Sequence, residues 1–154
     1  MSKDDFWDRV ASVNAGMLDA KDGARFVPMS HYADKDLNAL WFITAKGTDA
    51  VDAAETGPTD CVYILSDSGK GLYAHITGSL TVSDDKAKLD ELWNPIAATW
   101  FDEGKEDPDL RLLCFRIAKG EVWLAPASGV VFMFNIARAK LTGSDPDMGS
   151  HFTF

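Results

Sequence analysis

The chain has 154 residues, 46% of them hydrophobic and including five Trp and nine Phe, which is a composition typical of one globular domain. Its formal net charge of −9 and pI near 4.6 argue against nucleic-acid and anionic-membrane partners, because both require a basic face. No apolar run approaches the roughly 18 residues of a membrane-spanning helix, and segment 1–8 is too acidic for a signal peptide, so we expect a cytoplasmic protein.

The first third of the chain predicts one helix followed by a meander of strands. Ser2 precedes two aspartates that suit the positive end of a helix, and Phe6, Val10 and Val13 then fall on one helical face. Pro28 lacks an amide hydrogen and confines its strand to an edge or a bulge. The expected elements are a helix at Ser2–Val13, strands at Met17–Leu18, Arg25–Met29 and Ala39–Thr44, a turn at 20–23 and a polar connection at 33–38.

The middle of the chain predicts a hairpin of two strands followed by two helices. Gly78 lies inside the second strand, where a glycine indicates a bulge or a close backbone approach. Two further strands are expected beyond these helices, joined by a Lys-Gly pair. The expected elements are helices at 49–55, 83–92 and 95–101, a charged loop at 102–109, and strands at 61–65, 72–82, 110–117 and 121–124.

The segment from Pro126 to Leu141 fits two interpretations. Val130, Phe132 and Phe134 alternate as in a strand, whereas Val130, Phe134 and Leu141 keep helical spacing. The length of the segment and its Ala-Arg-Ala-Lys run favour a helix. With about five to seven strands and two or three helices, the whole pattern predicts a small antiparallel barrel with helices packed outside, of α+β or all-β class.

The histidines and cysteines do not form a recognisable metal or redox site. His31, His75 and His151 lie far apart, each without a Cys or another His at metal-ligand spacing, so we expect no metal site. Cys61 and Cys114 each lie in an apolar, strand-like run. That setting favours two buried, reduced thiols over a disulfide or a redox pair.

Other catalytic patterns are also missing from the sequence. There is no G-x-S-x-G elbow, P-loop or G-x-G-x-x-G, so no motif supports a hydrolase or a dinucleotide-binding protein. The acidic clusters at 84–85 and 102–109 are explained more simply by a helix start and a solvated loop than by paired catalytic carboxylates. No nucleophile or general base is identified, and a bound cofactor is therefore the candidate source of reactivity.

One stretch carries a binding signal. Segment 40–49, LWFITAKGTD, begins as an aromatic strand and ends in a loop of small, donor-rich residues. A flat ring could pack on Trp41 and Phe42, while hydroxyls and backbone amides of the loop hold an anion. An ordinary hairpin edge is the alternative, because a strand followed by a turn is common.

Four stretches together give the chain a family resemblance: 25–29 (RFVPM), 41–44 (WFIT), 92–108 (LWNPIAATWFDEGKEDP), and 123–143 with its Ala-Pro-x-Ser and Ala-Lys-Leu-Thr-Gly pieces. They resemble the general stress protein 26 branch of the pyridoxamine 5'-phosphate oxidase-like, FMN-binding split-barrel family. The resemblance implies a mainly β (α+β) fold, a six-stranded antiparallel split β-barrel with peripheral helices. It implies one domain over 1–154, with a C-terminal helix and tail at about 128–154.

The resemblance also implies a homodimer with one FMN in each cleft at the subunit interface. In such families the strand with the Pro-Met pair lies along the isoalloxazine and ribityl chain, the next strand contacts the flavin, and the following loop holds the phosphate. A later strand faces the flavin, and an aromatic pair from the partner subunit covers the ring. Carried over residue by residue, these roles fall on Arg25, Phe26, Val27 and Met29, on Phe42, Ile43 and Thr44, on Lys46 and Thr48, on Tyr73, and on Trp100 with Phe101.

The chain departs from the family pattern at two places. Relatives place a phosphate-neutralising lysine at the start of the helix after the loop, where this chain has Ala50 beside Asp49. Losing a charge-assisted contact of about 1.5–3 kcal/mol would weaken FMN binding roughly ten- to a hundred-fold, unless Lys46 replaces it. The parent oxidases also have a basic C-terminal pocket, whereas this sequence has no arginine after Arg138, which argues against pyridoxamine phosphate oxidation.

Three functions follow as hypotheses. The first is an FMN-dependent oxidoreductase that exchanges a hydride or electrons with an unknown small molecule or a nicotinamide, with no side chain assigned as catalytic. The second is a flavin- or ligand-binding stress protein without turnover. The third is a barrel that has lost FMN and acts as an interaction module, which the alanine at position 50 favours over the first.

Overall fold

A computed structural model describes residues 2–20, 25–126, 137–143 and 149–154. The predicted turn at 20–23 and most of the predicted C-terminal helix lie outside these residues, although residues 137–142 are helical. No helix in the described part of the chain is long and apolar enough to cross a membrane. The helices are α1 (Lys3–Ser12), α2 (Asp49–Ala54), α3 (Lys86–Leu92) and α4 (Pro95–Ala98), and a 3₁₀ turn spans Gly104–Glu106.

All strands of the described residues belong to one antiparallel sheet of eight strands. Its order is β2-β1-β5-β6-β7-β4-β3, with β8 paired to β7. The mainly β, antiparallel barrel class predicted from the sequence is confirmed, whereas the predicted six strands are too few. The strands are β1 (Gly16–Asp19), β2 (Val27–Met29), β3 (His31–Asp34), β4 (Ala39–Ala45), β5 (Thr59–Asp67), β6 (Leu72–Ser83), β7 (Leu110–Leu124) and β8 (Ser150–Thr153).

Helix α1 begins and packs as its sequence predicts. The backbone amide and the hydroxyl of Ser2 both donate to the Asp5 carboxylate, 2.6 and 3.1 Å away, which fixes the first turn. Phe6, Trp7 and Val10 are buried against the sheet. The helix therefore covers one opening of the curled sheet with its apolar face.

The Arg9 guanidinium attaches helix α1 to the sheet. It donates to the carbonyl oxygens of Lys70, Gly71 and Ala125 at 3.2, 2.9 and 2.5 Å. These carbonyls lie in the β5–β6 turn and just after β7, so one cation joins three separate segments. Charge-assisted bonds of this kind are stronger than neutral ones.

The core fills the inner face of the curled sheet. Along β5 and β6, alternate residues point inward, as expected for strands with one buried face. The rings of Phe42 and Phe115 lie 5.2 and 6.5 Å from that of Tyr63, all three wholly buried. Cys61 and Cys114 are buried free thiols, as predicted, and burial raises the pKa of Cys61 to about 12.

Strand β7 corrects the prediction of two strands joined by a Lys-Gly turn. Residues Leu110–Leu124 form one continuous strand, and Gly120 lies inside it. A Cβ at Gly120 would lie 2.6 Å from Cε1 of Phe154, because that ring covers the glycine. Gly120 and Phe154 also exchange backbone hydrogen bonds of 2.8 and 2.9 Å. The glycine therefore admits the C-terminal aromatic ring and does not form a turn.

The glycine in the middle of β6 marks an irregularity, as predicted. The register between β6 and β7 shifts between Thr77 and Gly78. A Cβ at Gly78 would collide with the backbone carbonyl of Arg116 and lie 2.6 Å from the Phe115 ring. Close backbone approach at this bend thus requires glycine.

Strand β3 was not predicted from the sequence, and its last two residues fall in the predicted polar connection at 33–38. His31–Asp34 pairs with β4, and the real turn is shorter, at residues 35–38. Asn38 has a positive φ of 52°, a conformation that asparagine tolerates well in turns. The segment forms a strand in spite of its polar composition, because its backbone makes hydrogen bonds with the edge of β4.

Candidate functional site

A cleft of about 430 Å³ lies between the Pro-Met strand, the end of β4 and helix α4. Its volume lies within the range of roughly 300–1,000 Å³ found for small-molecule sites. Its walls are largely apolar, with hydroxyl groups from a serine, a threonine and a tyrosine. The lining residues are Pro28, Met29, Ser30, Tyr32, Ile43, Thr44, Ala45, Ile96, Ala97, Trp100 and Phe101.

The cleft brings together four residues predicted from the family resemblance. Met29 comes from β2, Ile43 and Thr44 from β4, and Trp100 from the segment after α4, and all four line it. Phe101, named more tentatively, lines it as well. The predicted strand at 25–29 and the segment at 40–49 therefore converge on one cavity.

Helix α4 is fixed in place by Asn94, a residue that the sequence analysis did not single out. Its Oδ1 accepts hydrogen bonds from the amides of Ile96 and Ala97 at 3.0 and 3.1 Å, which caps the helix. Its Nδ2 donates to the Tyr32 hydroxyl at 2.8 Å and so ties the helix to β3. Asn94 therefore holds α4, which forms one wall of the cleft, against Tyr32 of β3.

The same wall leaves two large apolar side chains in solvent. Trp100 is 79% exposed and Ile96 74% exposed, whereas the neighbouring Phe101 is only 8% exposed. Exposed apolar groups at the rim of a cavity are typical of a surface that is covered by another molecule.

The loop that follows β4 contains two of the predicted phosphate-binding residues. Thr48 occupies the N-cap position of α2 without a capping hydrogen bond from its side chain, and its hydroxyl donates instead to the carbonyl of Ala45 at 3.1 Å. Lys46 is paired through Nζ with the Asp109 carboxylate at 3.1 Å, and its amide donates to the Asp109 carbonyl. The loop begins where the cleft ends, at Ala45.

Arg25 reaches the same region from the strand side. Its Nε donates to Oδ2 of Asp49 at 2.7 Å, and this carboxylate raises the pKa of the guanidinium. The side chain of Arg25 is 68% exposed and that of Asp49 is 24% exposed. The cation thus lies at the first residue of α2, where the family pattern expects a positive charge.

Ala50 is part of the core. It is 2% exposed and packs with Val51 and Ala54, which are equally buried, along the inner side of α2. A lysine at this position would have to push its stem through packed neighbours. The charge that relatives place here therefore cannot be restored simply by exchanging the side chain.

The remaining predicted residues lie outside the cleft lining. Phe42 is wholly buried, so only its backbone can reach a ligand there. Phe26 lines a separate groove of about 860 Å³ that also includes His75. Val27 pairs with Leu18 of β1, and Tyr73 is paired with Ser66 and Trp123 across the hairpin strands.

A buried hydrogen-bonded network beneath the cleft was not foreseen. Nε2 of His31 lies 2.8 Å from the carbonyl of Val10, and Nδ1 lies 2.7 Å from the Tyr63 hydroxyl. That hydroxyl also donates to the carbonyl of Met29 at 2.8 Å. Burial lowers the pKa of His31 and favours a neutral ring, whose one N–H donates to the Val10 carbonyl from Nε2. The single proton of the Tyr63 hydroxyl is then shared between Nδ1 of His31 and the carbonyl of Met29.

The network fixes the backbone of a cleft residue, Met29, to helix α1 and strand β5. Its members lie in four separate elements, so no local spacing in the sequence indicates it. In sequence, His31 looks like an isolated polar residue after a strand, and Tyr63 like one more apolar position.

The cleft can hold a ring and form hydrogen bonds, but it contains little acid–base chemistry. Among its described lining residues, Tyr32 alone carries a titratable side chain. No group of three or more His, Cys, Asp or Glu in the described ranges is placed to hold a metal ion. The arrangement therefore suits binding and orientation of a reactive group brought by a ligand.

Comparison with known proteins agrees with this geometry. The family model described as pyridoxamine 5'-phosphate oxidase like matches residues 2–147, nearly the whole chain. The chain belongs to the pyridoxamine 5'-phosphate oxidase-like family. Membership confirms the resemblance inferred from the sequence segments. No curated protein matches the chain.

Solved structures of this family place the chain near general stress proteins. A protein from Jannaschia sp. CCS1 described as general stress protein 26 is 46% identical, with a TM-score of 0.90 over 96% of this chain and 93% of that chain. A general stress family protein from Xanthomonas campestris pv. campestris is 32% identical (TM-score 0.71, 82% of this chain and 88% of that chain). A general stress FMN/FAD binding protein from Xanthomonas citri is also 32% identical (TM-score 0.70, 80% and 88%).

Proposed function

We propose that this chain is a flavin-binding, stress-related protein that holds FMN in the cleft beside α4. The cleft carries this proposal, since its apolar walls at Met29 and Ile43 end at Ala45, where the donor-rich loop at residues 46–48 begins. A flat ring with an anionic tail requires these two environments in this order. Family membership and the 32% identity to a protein described as FMN/FAD binding support it.

In this proposal the ring lies along Met29 and Ile43, and the hydroxyl of Thr44 is available to bond its polar edge. The ribityl chain follows β4 toward Ala45, and the phosphate lies near Lys46 and Thr48. Apolar contact orients the ring and excludes water from one of its faces.

We further propose that the protein is an oxidoreductase acting on a small molecule or a nicotinamide. A bound flavin would supply the hydride or electron transfer. The described cleft residues would bind and orient the flavin, and none of them is assigned as an acid or a base. Pyridoxamine phosphate oxidation is not part of this proposal, because no arginine or lysine is among the described lining residues of the cleft to bind a substrate phosphate.

A second copy of the chain is proposed to complete the site. Trp100 and Ile96 stand exposed at the rim of the cleft, and a bound ligand normally loses most of its surface to protein. A homodimer in which each subunit covers the other's cleft would bury both residues and enclose the flavin. This arrangement fits the preference of soluble oligomers for two-fold symmetry.

A visible absorbance spectrum of the freshly purified protein tests flavin binding directly. We expect flavin bands that survive dialysis, or that return after FMN is added and the excess removed. Bleaching by NADH or NADPH and recovery in air would support the oxidoreductase, whereas retained but unreactive flavin would support a binding protein without turnover. A colourless protein that cannot be reconstituted would contradict the proposal and favour an interaction module.

A further inference from the structure

The cations beside the proposed phosphate position already have carboxylate partners. Arg25 Nε lies 2.7 Å from Asp49, and Lys46 Nζ lies 3.1 Å from Asp109. Each contact is within ion-pair distance. An incoming phosphate dianion would therefore meet neutralised pairs and not free positive charge.

The two pairs are not equivalent. Asp49 is 24% exposed and is the first residue of α2, whereas Asp109 is 56% exposed in the loop before β7. A partly buried charge is screened less by solvent than an exposed one. Asp49 is therefore the stronger internal competitor for a cation near the phosphate.

We propose that Asp49 determines which flavin the cleft prefers, by occupying Arg25 and disfavouring the phosphate of FMN relative to the uncharged end of riboflavin. The inference rests on the proposed flavin site. Riboflavin shares the ring and the ribityl chain of FMN and lacks only the phosphate. The ratio of the two dissociation constants therefore isolates what happens at the phosphate end.

The expected change in FMN affinity equals the contribution of the arginine–phosphate contact that Asp49 prevents. A charge-assisted hydrogen bond from a guanidinium to a phosphate corresponds to about a ten- to hundred-fold change in affinity. Arg25 can keep other N–H groups for the phosphate while Nε remains with Asp49, but the carboxylate then lies beside a second anion and repels it. In both arrangements Asp49 weakens FMN and leaves riboflavin nearly unaffected.

The test compares FMN and riboflavin titrations, followed by flavin fluorescence, for the full chain and four variants: Asp49→Asn, Asp52→Asn, Arg25→Gln and the double variant Arg25→Gln/Asp49→Asn. We expect the two flavins to bind the unaltered chain within about tenfold of one another. Asp49→Asn should tighten FMN about ten- to a hundred-fold and change riboflavin less than about twofold. Asp52→Asn, which removes an exposed carboxylate from the same helix, is the matched control and should change the FMN affinity less than about threefold.

The Arg25→Gln variants test whether the gain in FMN affinity caused by Asp49→Asn depends on Arg25. With Arg25→Gln present, Asp49→Asn should tighten FMN by less than about threefold, the part that comes from direct repulsion, so the two changes are strongly non-additive. Because Arg25 is 68% exposed, its replacement should leave folding intact, which circular dichroism checks.

Three results would overturn the inference while leaving flavin binding in place. These are an unchanged FMN affinity in Asp49→Asn, an equal gain for riboflavin, and a gain of undiminished size in the absence of Arg25. Failure of both flavins to bind any variant would instead overturn the proposed function, and the inference with it.

Discussion

The imidazole of His31 is 7% exposed, enclosed between the carbonyl of Val10 and the hydroxyl of Tyr63. Burial penalises its charged form and lowers its pKa below the ordinary 6.5. In the unfolded chain the ring is hydrated and keeps an ordinary pKa. Below about pH 6.5 the unfolded state therefore binds a proton that the folded state does not.

We predict that the free energy of unfolding falls as the pH drops below 6.5 and stops falling from this cause once the folded ring protonates. One proton of difference gives a slope of up to about 1.4 kcal/mol per pH unit. Urea unfolding between pH 7.5 and 5 measures it. His31→Gln should flatten the slope, whereas His75→Gln, on an exposed ring, should leave it in place. A slope unaffected by either change would contradict the assignment to His31.

At this scale the sequence predicts a residue well when its neighbours along the chain define its role. Met29, Thr44 and Trp100 are carried over from the family motifs that contain them, and all three line one cleft. His31 was not, because its partners come from α1 and β5. Ala50 is a different case. The family motif gives its position at the start of α2, but it does not show that the side chain faces the core.

Strand β6 owes its bend to one glycine. Gly78 faces the backbone of Arg116 so closely that any side chain would collide with its carbonyl, and the register with β7 shifts at that point. The bend lets the sheet curl, because a bulge increases local twist.

We predict that Gly78→Ala destabilises the fold by about 3 kcal/mol or more, since backbone and a buried ring must move to admit the methyl group. Chemical denaturation measures the loss. Gly69→Ala is the matched control in the adjacent turn, where the nearest atom to a new Cβ is Asp67 Oδ1 at 3.3 Å, and should stay within about 0.5 kcal/mol. Equal stability of the two variants would show that the bulge tolerates a side chain.

Elements were predictable from sequence where their own pattern was sufficient. The apolar run at 61–65, the long strand-like segment at 72–82, and the serine and aspartates at the start of α1 predicted correct element types. Strands β3 and β8 were missed because they form by pairing with the distant or longer strands β4 and β7, and their own residues carry no clear strand pattern. The false turn at Gly120 has the same cause, since the ring that covers it comes from Phe154.

The proposed dimer concerns the whole molecule, and Trp100 is its best probe. A tryptophan that is 79% exposed at the rim of an apolar cleft has the character of an interface hot spot. We predict a dimer at micromolar concentration and at least a tenfold higher dimer dissociation constant, roughly 1.4 kcal/mol, for Trp100→Ala. Light scattering over a concentration series measures both.

Leu141→Ala is the control for loss of an exposed apolar side chain, since Leu141 is 89% exposed in the helix at 137–142. It should leave the association unchanged. A clean monomer of the unaltered chain at micromolar concentration, or unchanged dimerisation of Trp100→Ala, would contradict the proposed dimer.

The packing of Phe154 against Phe6, with ring centroids 5.1 Å apart, has a consequence for the order of folding. It joins the first helix to the last strand and closes a loop of almost the whole chain, and such closure costs entropy before any contact repays it. Sheets dominated by distant pairings fold in milliseconds to seconds, far more slowly than helical bundles. We therefore expect β5, β6 and β7 to assemble first, and the two ends of the chain to meet over Gly120 as a late event.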